Sequence, residues 1–438
     1  MTLTEAAFWT KRFGVIALGA FVVFTVIVLL LTLRREGVMP PQYLTANYAC
    51  TETKDEFLPH RLEIPTLDLA EGSEMVFQID TDTGKIDSLP EIINVYRFNN
   101  PVQSLSSQAD AKVLANKLDF DPDAVIRRGT ESYVWVDRET GRTLEVLAKN
   151  LNFTLRTEAS RVREISREGI LPSEQEARSQ AANALRSLGL YSEDYSKGNH
   201  RTTYIRVNPD GSFSKASAAA EADLIRIDFV RSKSMITIPS NIVGANSMVQ
   251  TLNRKFPEPP VVETPIVNDQ RIEIYTFNTL VSFPQTQRSN ISVYIGAEDK
   301  SQRSTTLKGV YQIEYIYWPI QVEACGTYEL LSPQVAIEKV QSGEGSLVYL
   351  FEVDGDDVIE YTPKRVKKFL VFDVFVVYYE DRGELEFLQP VYVVSGEAIF
   401  DNDTKGLFDF FYPAINYEIV QDEVILPEPE IVEESGFF

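Results

Sequence analysis

Few side chains in this sequence stand where chemistry would use them. Among 438 residues there are two histidines, His60 and His200, and two cysteines, Cys50 and Cys325. Two histidines leave little material for a His-based metal centre or triad, and both lie in polar contexts that fit exposure. Two cysteines exclude a four-cysteine zinc site and a disulfide-stapled miniprotein. Two readings of them stand side by side: one intramolecular disulfide joining Cys50 to Cys325, or two buried, unpaired thiols acting as small apolar residues. Ser212-Phe-Ser-Lys215 matches S-x-x-K in form, but no Lys-Thr-Gly or Ser-Asp-Asn box accompanies it, and it follows Pro209-Asp-Gly211, so it reads as a turn. No G-x-S-x-G, Walker A loop, H-E-x-x-H or C-x-x-C occurs.

Carboxylates are plentiful but unselected. Asp401-Asn-Asp403-Thr-Lys-Gly406 opens like a calcium loop, yet Lys405 stands at position 5 and Tyr412 at position 12, where a bidentate Glu is needed. Asp354-Gly-Asp-Asp357 reads as a hairpin turn. A glycosidase-like carboxylate pair is defined by separation in space, and no spacing in the sequence picks one out. The sequence therefore assigns no catalytic, cofactor-binding or metal-ligating residue, and no cofactor or small-molecule ligand. The dense basic run Lys364-Arg365-Val-Lys367-Lys368 has two readings, a charged strand end that resists aggregation or a docking patch for an acidic partner. Asn152, Asn290 and Asn402 head sequons that matter only in a glycosylating host.

The elements that would position these residues follow from charge and periodicity. The chain has 42 Lys and Arg against 64 Asp and Glu, 42 − 64 = −22, with 44% hydrophobic residues, which describes a folded, acidic protein. Such a charge disfavours DNA or RNA as a partner. Residues 13–33 are free of charge and bounded by Lys11-Arg12 and Arg34-Arg35. As a helix they would span about 31 Å, the thickness of a bilayer core. The expectation is a retained signal anchor with residues 1–12 cytoplasmic and the bulk of the chain exported.

Three short helices announce themselves by their starts. Ser107-Gln-Ala-Asp110 and Ser173-Glu-Gln-Glu176 are capping-box patterns, and Ser332-Pro333 offers an N-cap followed by proline at N1. Small residues follow at +4 and +8 in each: Ala111 and Ala115, Ala177 and Ala181, Ala336 and Val340. They line one helical face and let it sit close against a sheet. Gly189 and Gly343 supply stops. After each start come alternating strands joined by Thr-Gly or Asp-Gly turns, read as antiparallel hairpins. The shared register predicts an internal repeat.

These residues carry a resemblance. Ser-x-x-x-Ala-x-x-x-small with a following Gly, then Tyr-rich hairpins, resembles the PepSY unit and the related Yyc-type extracytoplasmic regulators of two-component systems. LSPQVAIEKVQSGEG and VFVVYYEDRGELEFLQPVYVVSGE are the passages most similar to uncharacterised bacterial single-pass envelope proteins. The resemblance implies protein binding and no catalytic residues. The expected fold is α+β: an N-terminal transmembrane helix, then about three repeat-like units of a helix packed on a small antiparallel sheet. The expected divisions are a tail (1–12), the span (13–33), a stalk with a hairpin (34–90), two PepSY-like units (91–256), a Pro-rich linker (257–268), a C-terminal α+β unit (269–420) and an acidic tail (421–438). The expected function is a single-pass plasma-membrane protein that binds or regulates another envelope or membrane protein, such as a sensor or peptidase. The alternatives are a structural surface or envelope-assembly component and, third, a cell-wall hydrolase.

Overall fold

The computed structural model describes residues 46–420, apart from 82–83, 88, 129–130, 257, 268–269, 285–287, 301, 303 and 305–306. Helix α1 (Ser107–Lys117) is entered from Ser106, whose hydroxyl donates to Asp110 Oδ2 at 2.8 Å, one residue earlier than the capping box predicts. Helix α2 is Ala159–Glu168. Helix α3 (Glu174–Leu188) carries the expected box: Ser173 Oγ accepts from the Glu176 N–H at 3.3 Å, and the Glu176 carboxylate accepts from the Ser173 N–H at 2.9 Å. It ends at Gly189, where φ is +78°, a left-handed cap that glycine adopts without strain. Helices α4 (Glu193–Ser196) and α5 (Ala245–Lys255) follow. Helix α6 (Pro333–Gln341) starts under Ser332, whose hydroxyl accepts from Val335 N–H, and α7 is Tyr417–Val420. Ala111, Ala115, Ala177, Ala181, Ala336 and Val340 are all fully buried, so each small-residue row faces a core.

The strands run β1 (Phe77–Ile79), β2 (Ile92–Arg97), β3 (Ile126–Arg128), β4 (Ser132–Asp137), β5 (Arg142–Leu147), β6 (Phe153–Thr157) and β7 (His200–Val207). They continue as β8 (Phe213–Lys215), β9 (Leu224–Phe229), β10 (Ser232–Pro239), β11 (Val261–Glu263), β12 (Ile266–Val267), β13 (Gln270–Arg271) and β14 (Ile274–Ser282). The last are β15 (Ile291–Ile295), β16 (Val310–Tyr315), β17 (Gly326–Glu329), β18 (Ser346–Glu352), β19 (Val366–Tyr379), β20 (Phe387–Phe400) and β21 (Lys405–Pro413).

Two large sheets result. The nine-stranded sheet has the order β3-β4-β5-β6-β16-β15-β9-β7-β8 and pairs antiparallel throughout. The ten-stranded sheet has the path β10-β14-β19-β20-β2-β17, with β21 and then β18 added at β20, β1 on β19 and β11 on β14. Helices α1 and α3 pack on one face of the nine-stranded sheet, in a core with Leu144, Leu155, Ile227, Val293 and Ile313. Helices α5 and α6 share the second core with Phe277, Phe369, Tyr392 and Phe410. Full burial of each such side chain contributes about 1.5–3 kcal/mol.

This corrects the expected fold class. The protein is mostly β, and its helices do not each sit on a small sheet of their own. The first two expected units merge into one sheet, because β6 pairs with β16 and β9 pairs with β15, strands separated from them by 60 residues or more of chain. Strands on both sides of the Pro-rich segment 257–268 contribute to both sheets. Several local hairpin signals are real, but Asp354-Gly-Asp-Asp357 is not a hairpin turn, because β18 passes over β19 and pairs with β21; periodicity carries no information on which edges join across such distances. The single-pass membrane reading is also corrected. Among the described residues no helix is long and apolar enough to cross a membrane, and residues 13–33, on which that reading rested, lie outside them.

Cys50 and Cys325 are bonded to each other, 275 residues apart in sequence. The backbone brings them together before the sulfurs do. Asn47 and Tyr48 N–H donate to Thr327 O at 3.2 and 3.0 Å, and Thr327 N–H donates to Asn47 Oδ1 at 2.8 Å. Gly326 permits the crossing, since a Cβ there would stand 2.7 Å from Ala49 N and 3.0 Å from Cys50 N. The chain-entropy relation for so long a loop gives a ceiling of about 5–6 kcal/mol of stabilisation. Reduction, or the pair Cys50→Ser with Cys325→Ser, should therefore lower the urea midpoint, with reductant causing no further shift in the double variant. An unchanged midpoint in both cases would show that the bond does not constrain the unfolded chain.

Candidate functional site

The two sheets meet across a layer of buried charge, which arises from polar residues placed at alternate positions of otherwise apolar strands. In β9, Ile225, Ile227 and Phe229 face the helices, which turns Arg226 and Asp228 to the opposite side, 1% and 0% exposed. Arg226 Nε donates to Asp228 Oδ2 at 2.7 Å, and Ser292 Oγ donates to Asp228 Oδ1 at 2.5 Å. On β16 the Glu314 carboxylate accepts from Gln312 at 2.9 Å and from Arg382 at 2.7 Å. Burial raises Glu314, but Arg382, Arg288 and Arg156 outweigh it and hold this carboxyl below the usual range.

Most ion pairs that bridge the halves take the cation from the nine-stranded side and the carboxylate from the ten-stranded side. Lys149 pairs with Glu384, and Lys215 lies 3.5 Å from Asp357. Arg201, pulled below its ordinary value by burial, feels Asp228 and Asp409. Arg231, in the single step from β9 to β10, reaches Glu380 at 3.2 Å and donates to Trp318 O at 3.0 Å. Its guanidinium also lies over the rings of Tyr317 and Tyr195, at 4.9 and 5.3 Å. Burial opposes charge on both partners. For Arg231 the attraction of Glu380 and Tyr195 outweighs it, whereas for Glu380 burial prevails over Arg231 and Asn290 and raises the carboxyl above 4.5. The cavity beside this pair holds about 10 Å³, barely one water. It is a joint, with no room for a ligand.

The residues singled out by sequence are scattered. Cys50 and Cys325 lie together at the β2–β17 end of the ten-stranded sheet. The basic run lies at the start of β19, and each member has a partner within the chain. Lys364 pairs with Glu352 at 2.8 Å, Lys367 with Asp403 at 2.7 Å, Arg365 Nε donates to Glu71 O at 2.9 Å and Lys368 to Gln78 at 3.2 Å. That is the arrangement of a charged strand end. Ser212 Oγ donates to Asp210, and Lys215 turns away toward Gly355 and Asp357, so S-x-x-K forms no nucleophile and base. Asn402 Oδ1 closes its own turn by accepting from Thr404 N–H and Oγ1. His60 Nδ1 stands 3.5 Å from Glu386, and His200 is exposed. Among the described residues no group of three or more His, Cys, Asp or Glu side chains is arranged to hold a metal ion.

Two open grooves lie elsewhere among the described residues. One, of about 630 Å³, is walled by Asp119, Asp121, Asp137, Glu139 and Trp135. Three of its four acids are engaged by the protein: Asp119 accepts from Ser304 N–H at 2.8 Å, Asp121 from Asp123 N–H at 3.0 Å, and Asp137 from Thr140 Oγ1 at 2.7 Å and Glu139 N–H at 3.0 Å. Burial raises Asp137, but these hydrogen bonds and Arg142 outweigh it and leave the carboxyl below its ordinary range, the wrong direction for a general acid. The other groove, about 540 Å³, is crossed by Arg254 with Asp87 at 3.5 Å and by Lys255 with Asp373.

A different feature stands at the rim of the ten-stranded sheet. Strand β11 pairs with β14 through only three residues, Val261 with Thr276, Val262 with Tyr275 and Glu263 with Ile274. All three of its residues are exposed, Val261 at 59% and Val262 at 49%, and Ile266 just beyond is 57% exposed. Successive strand residues point to opposite faces, so each face of this edge carries one valine, with Glu263 on the Val261 side. Ahead of the strand, Glu258 accepts from Asn278 Nδ2 of β14 at 2.8 Å. The prolines of this stretch predict a spacer, and Val261-Val262 between Pro260 and Pro265 is the sign in the sequence of a short edge strand.

No protein-family model matches the chain, and no curated protein matches it. A solved structure of an uncharacterized protein from Eubacterium rectale is similar over 82% of this chain and 92% of its own, at 12% identity and a TM-score of 0.34.

Removing one member of the joint should be costly. Arg231→Met leaves Glu380 buried without its cation and should lose about 3–5 kcal/mol in urea unfolding. The native state holds the Glu380 proton more tightly than the unfolded chain does. Stability contributed by this group is therefore fullest at acid pH and falls as pH rises from about 4.5 through the raised folded value. Glu380→Gln should flatten that limb of the stability profile. An unaltered limb would show that the carboxyl titrates as it does in the unfolded chain.

Proposed function

We propose that the protein is a non-catalytic binding module whose partner is another protein, received as an extended segment at the β11–β14 edge. The observation behind this reading is the edge itself: a short ladder whose two valines stay half exposed, in a molecule whose central strands β9, β15 and β16 are fully buried. Main-chain pairing at an open edge supplies affinity, and side-chain contacts on the two faces supply selectivity. Edges this apolar are usually blunted by charge, a bulge or a cover. Here prolines at 259, 260 and 265 limit how far pairing can run, which confines recognition to a few residues.

The rest of the molecule supports the same reading. The buried charges between the sheets pair with one another, and the interior cavity is nearly filled. The basic run at residues 364–368 is engaged by the chain's own acids and main chain, which argues for the edge over that patch as the docking place.

Selection of displayed random peptides on the intact protein should enrich alternating sequences rich in Val, Ile and Thr. Hydrogen exchange with a selected peptide bound should then slow at residues 261–276. Slowing elsewhere with 261–276 unchanged would overturn the assignment of the edge.

A further inference from the structure

The sequence around the strand that fills this edge has a near repeat elsewhere in the chain. Residues 256–263 are Phe-Pro-Glu-Pro-Pro-Val-Val-Glu, and residues 426–433 are Leu-Pro-Glu-Pro-Glu-Ile-Val-Glu. Five of eight positions are identical, Pro, Glu, Pro, Val and Glu, and two more exchange one apolar residue for another, Phe for Leu and Val for Ile. The repeated positions include those the structure shows in use. Glu258 is held by Asn278, and Val262 and Glu263 lie in the ladder with β14. The one unlike position, Pro260 against Glu430, lies ahead of the paired residues, and a glutamate there restores a backbone N–H.

We infer that the edge of β14 is a slot for this motif, and that the C-terminal segment 426–433 of a second copy of the chain takes the place of β11 in it. The inference rests on the edge being the docking site and names its occupant. The resident strand is a weak competitor, because a three-residue ladder with exposed side chains gains little from burial. It is nevertheless tethered next to its slot, so an incoming segment must overcome a high local concentration. Exchange in this direction joins segment 426–433 of one molecule to the flank of the next, a heterologous contact that propagates unless the geometry closes it. Addition outside β11 is the other arrangement open to an extended segment, and the two respond oppositely when β11 is loosened.

The test uses a fluorescent peptide of residues 424–435 and the full-length protein, read by anisotropy. Replacement predicts weak binding to the natural protein and binding at least tenfold tighter to Val262→Asp, an exposed position whose change loosens β11 without touching a core. It also predicts about a tenfold loss when Asn278→Ala is added to Val262→Asp, and no binding of a scrambled peptide. Loss of binding on Val262→Asp would show addition outside β11 and overturn replacement. Failure of the peptide to bind either protein, while library-selected peptides still protect residues 261–276, would remove the C-terminal segment as occupant and leave the docking edge standing. Failure of both would remove the edge as well.

Discussion

Everything in this molecule depends on how one covalent step between sheets is made. Strand β9 ends at Phe229 in the nine-stranded sheet and β10 begins at Ser232 in the ten-stranded sheet, which leaves two residues for the passage. One of them is Arg231, almost fully buried, and the carboxylate that meets it stands immediately after β19. A cation at so tight a crossing has two outcomes: it faces water and the sheets part, or it finds a buried anion and they close. The Trp318 carbonyl and two tyrosine rings complete its surroundings and fix the approach of one sheet to the other. Replacing such a pair with apolar side chains of equal volume often costs nothing in stability. Its use here is to define register, since a sliding contact would leave Glu380 buried and alone.

The same logic extends over the layer between the sheets. Apolar faces can slide over one another at little cost, whereas faces set with charges match in few positions. Cations stand mainly on the nine-stranded side and carboxylates on the other, with Arg382 and Glu314 reversing the pattern at one point. The reversal adds information, because a half-turn of one sheet over the other would bring like charges together. Much of the strongly acidic charge of the whole chain therefore serves as outer surface, while the charges that organise the fold are few and paired.

How much of this was legible depends on distance along the chain. Signals confined to a turn or two were accurate at two helix starts, where Ser173 with Glu176 caps α3 and Ser332 caps α6, and one residue out at α1, which is entered from Ser106; the alanine rows are buried where a helix on a sheet requires it. Hairpins formed at Thr140-Gly141, Asp210-Gly211 and Asp381–Gly383, whereas the Asp354-Gly355 turn joins no hairpin, since β18 pairs with β21, and β1 pairs parallel with β19. Illegible were the joins between distant edges, β6 to β16 and β9 to β15, because an edge strand and a central strand with the same alternation look alike until the neighbour arrives. Arg226 and Asp228 in LIRIDF were a visible anomaly, charges at alternate positions of an apolar strand. They marked a second covered face, and hence a second sheet, where a repeat of small units has none. The basic run failed as a pointer for the opposite reason: its acidic partners come from segments far away in sequence, at Glu352, Asp403 and the main chain of Glu71.

The bond between Cys50 and Cys325 has a mechanical consequence. Every strand of the nine-stranded sheet lies between those two residues. Tension applied along the chain from its two ends passes through the sulfur bridge and bypasses that sheet entirely. The 275 residues of separation amount to about 900 Å of contour that a pull cannot release while the bond is intact. Oxidised, the molecule transmits force through its ten-stranded half alone; reduced, the same chain becomes extensible.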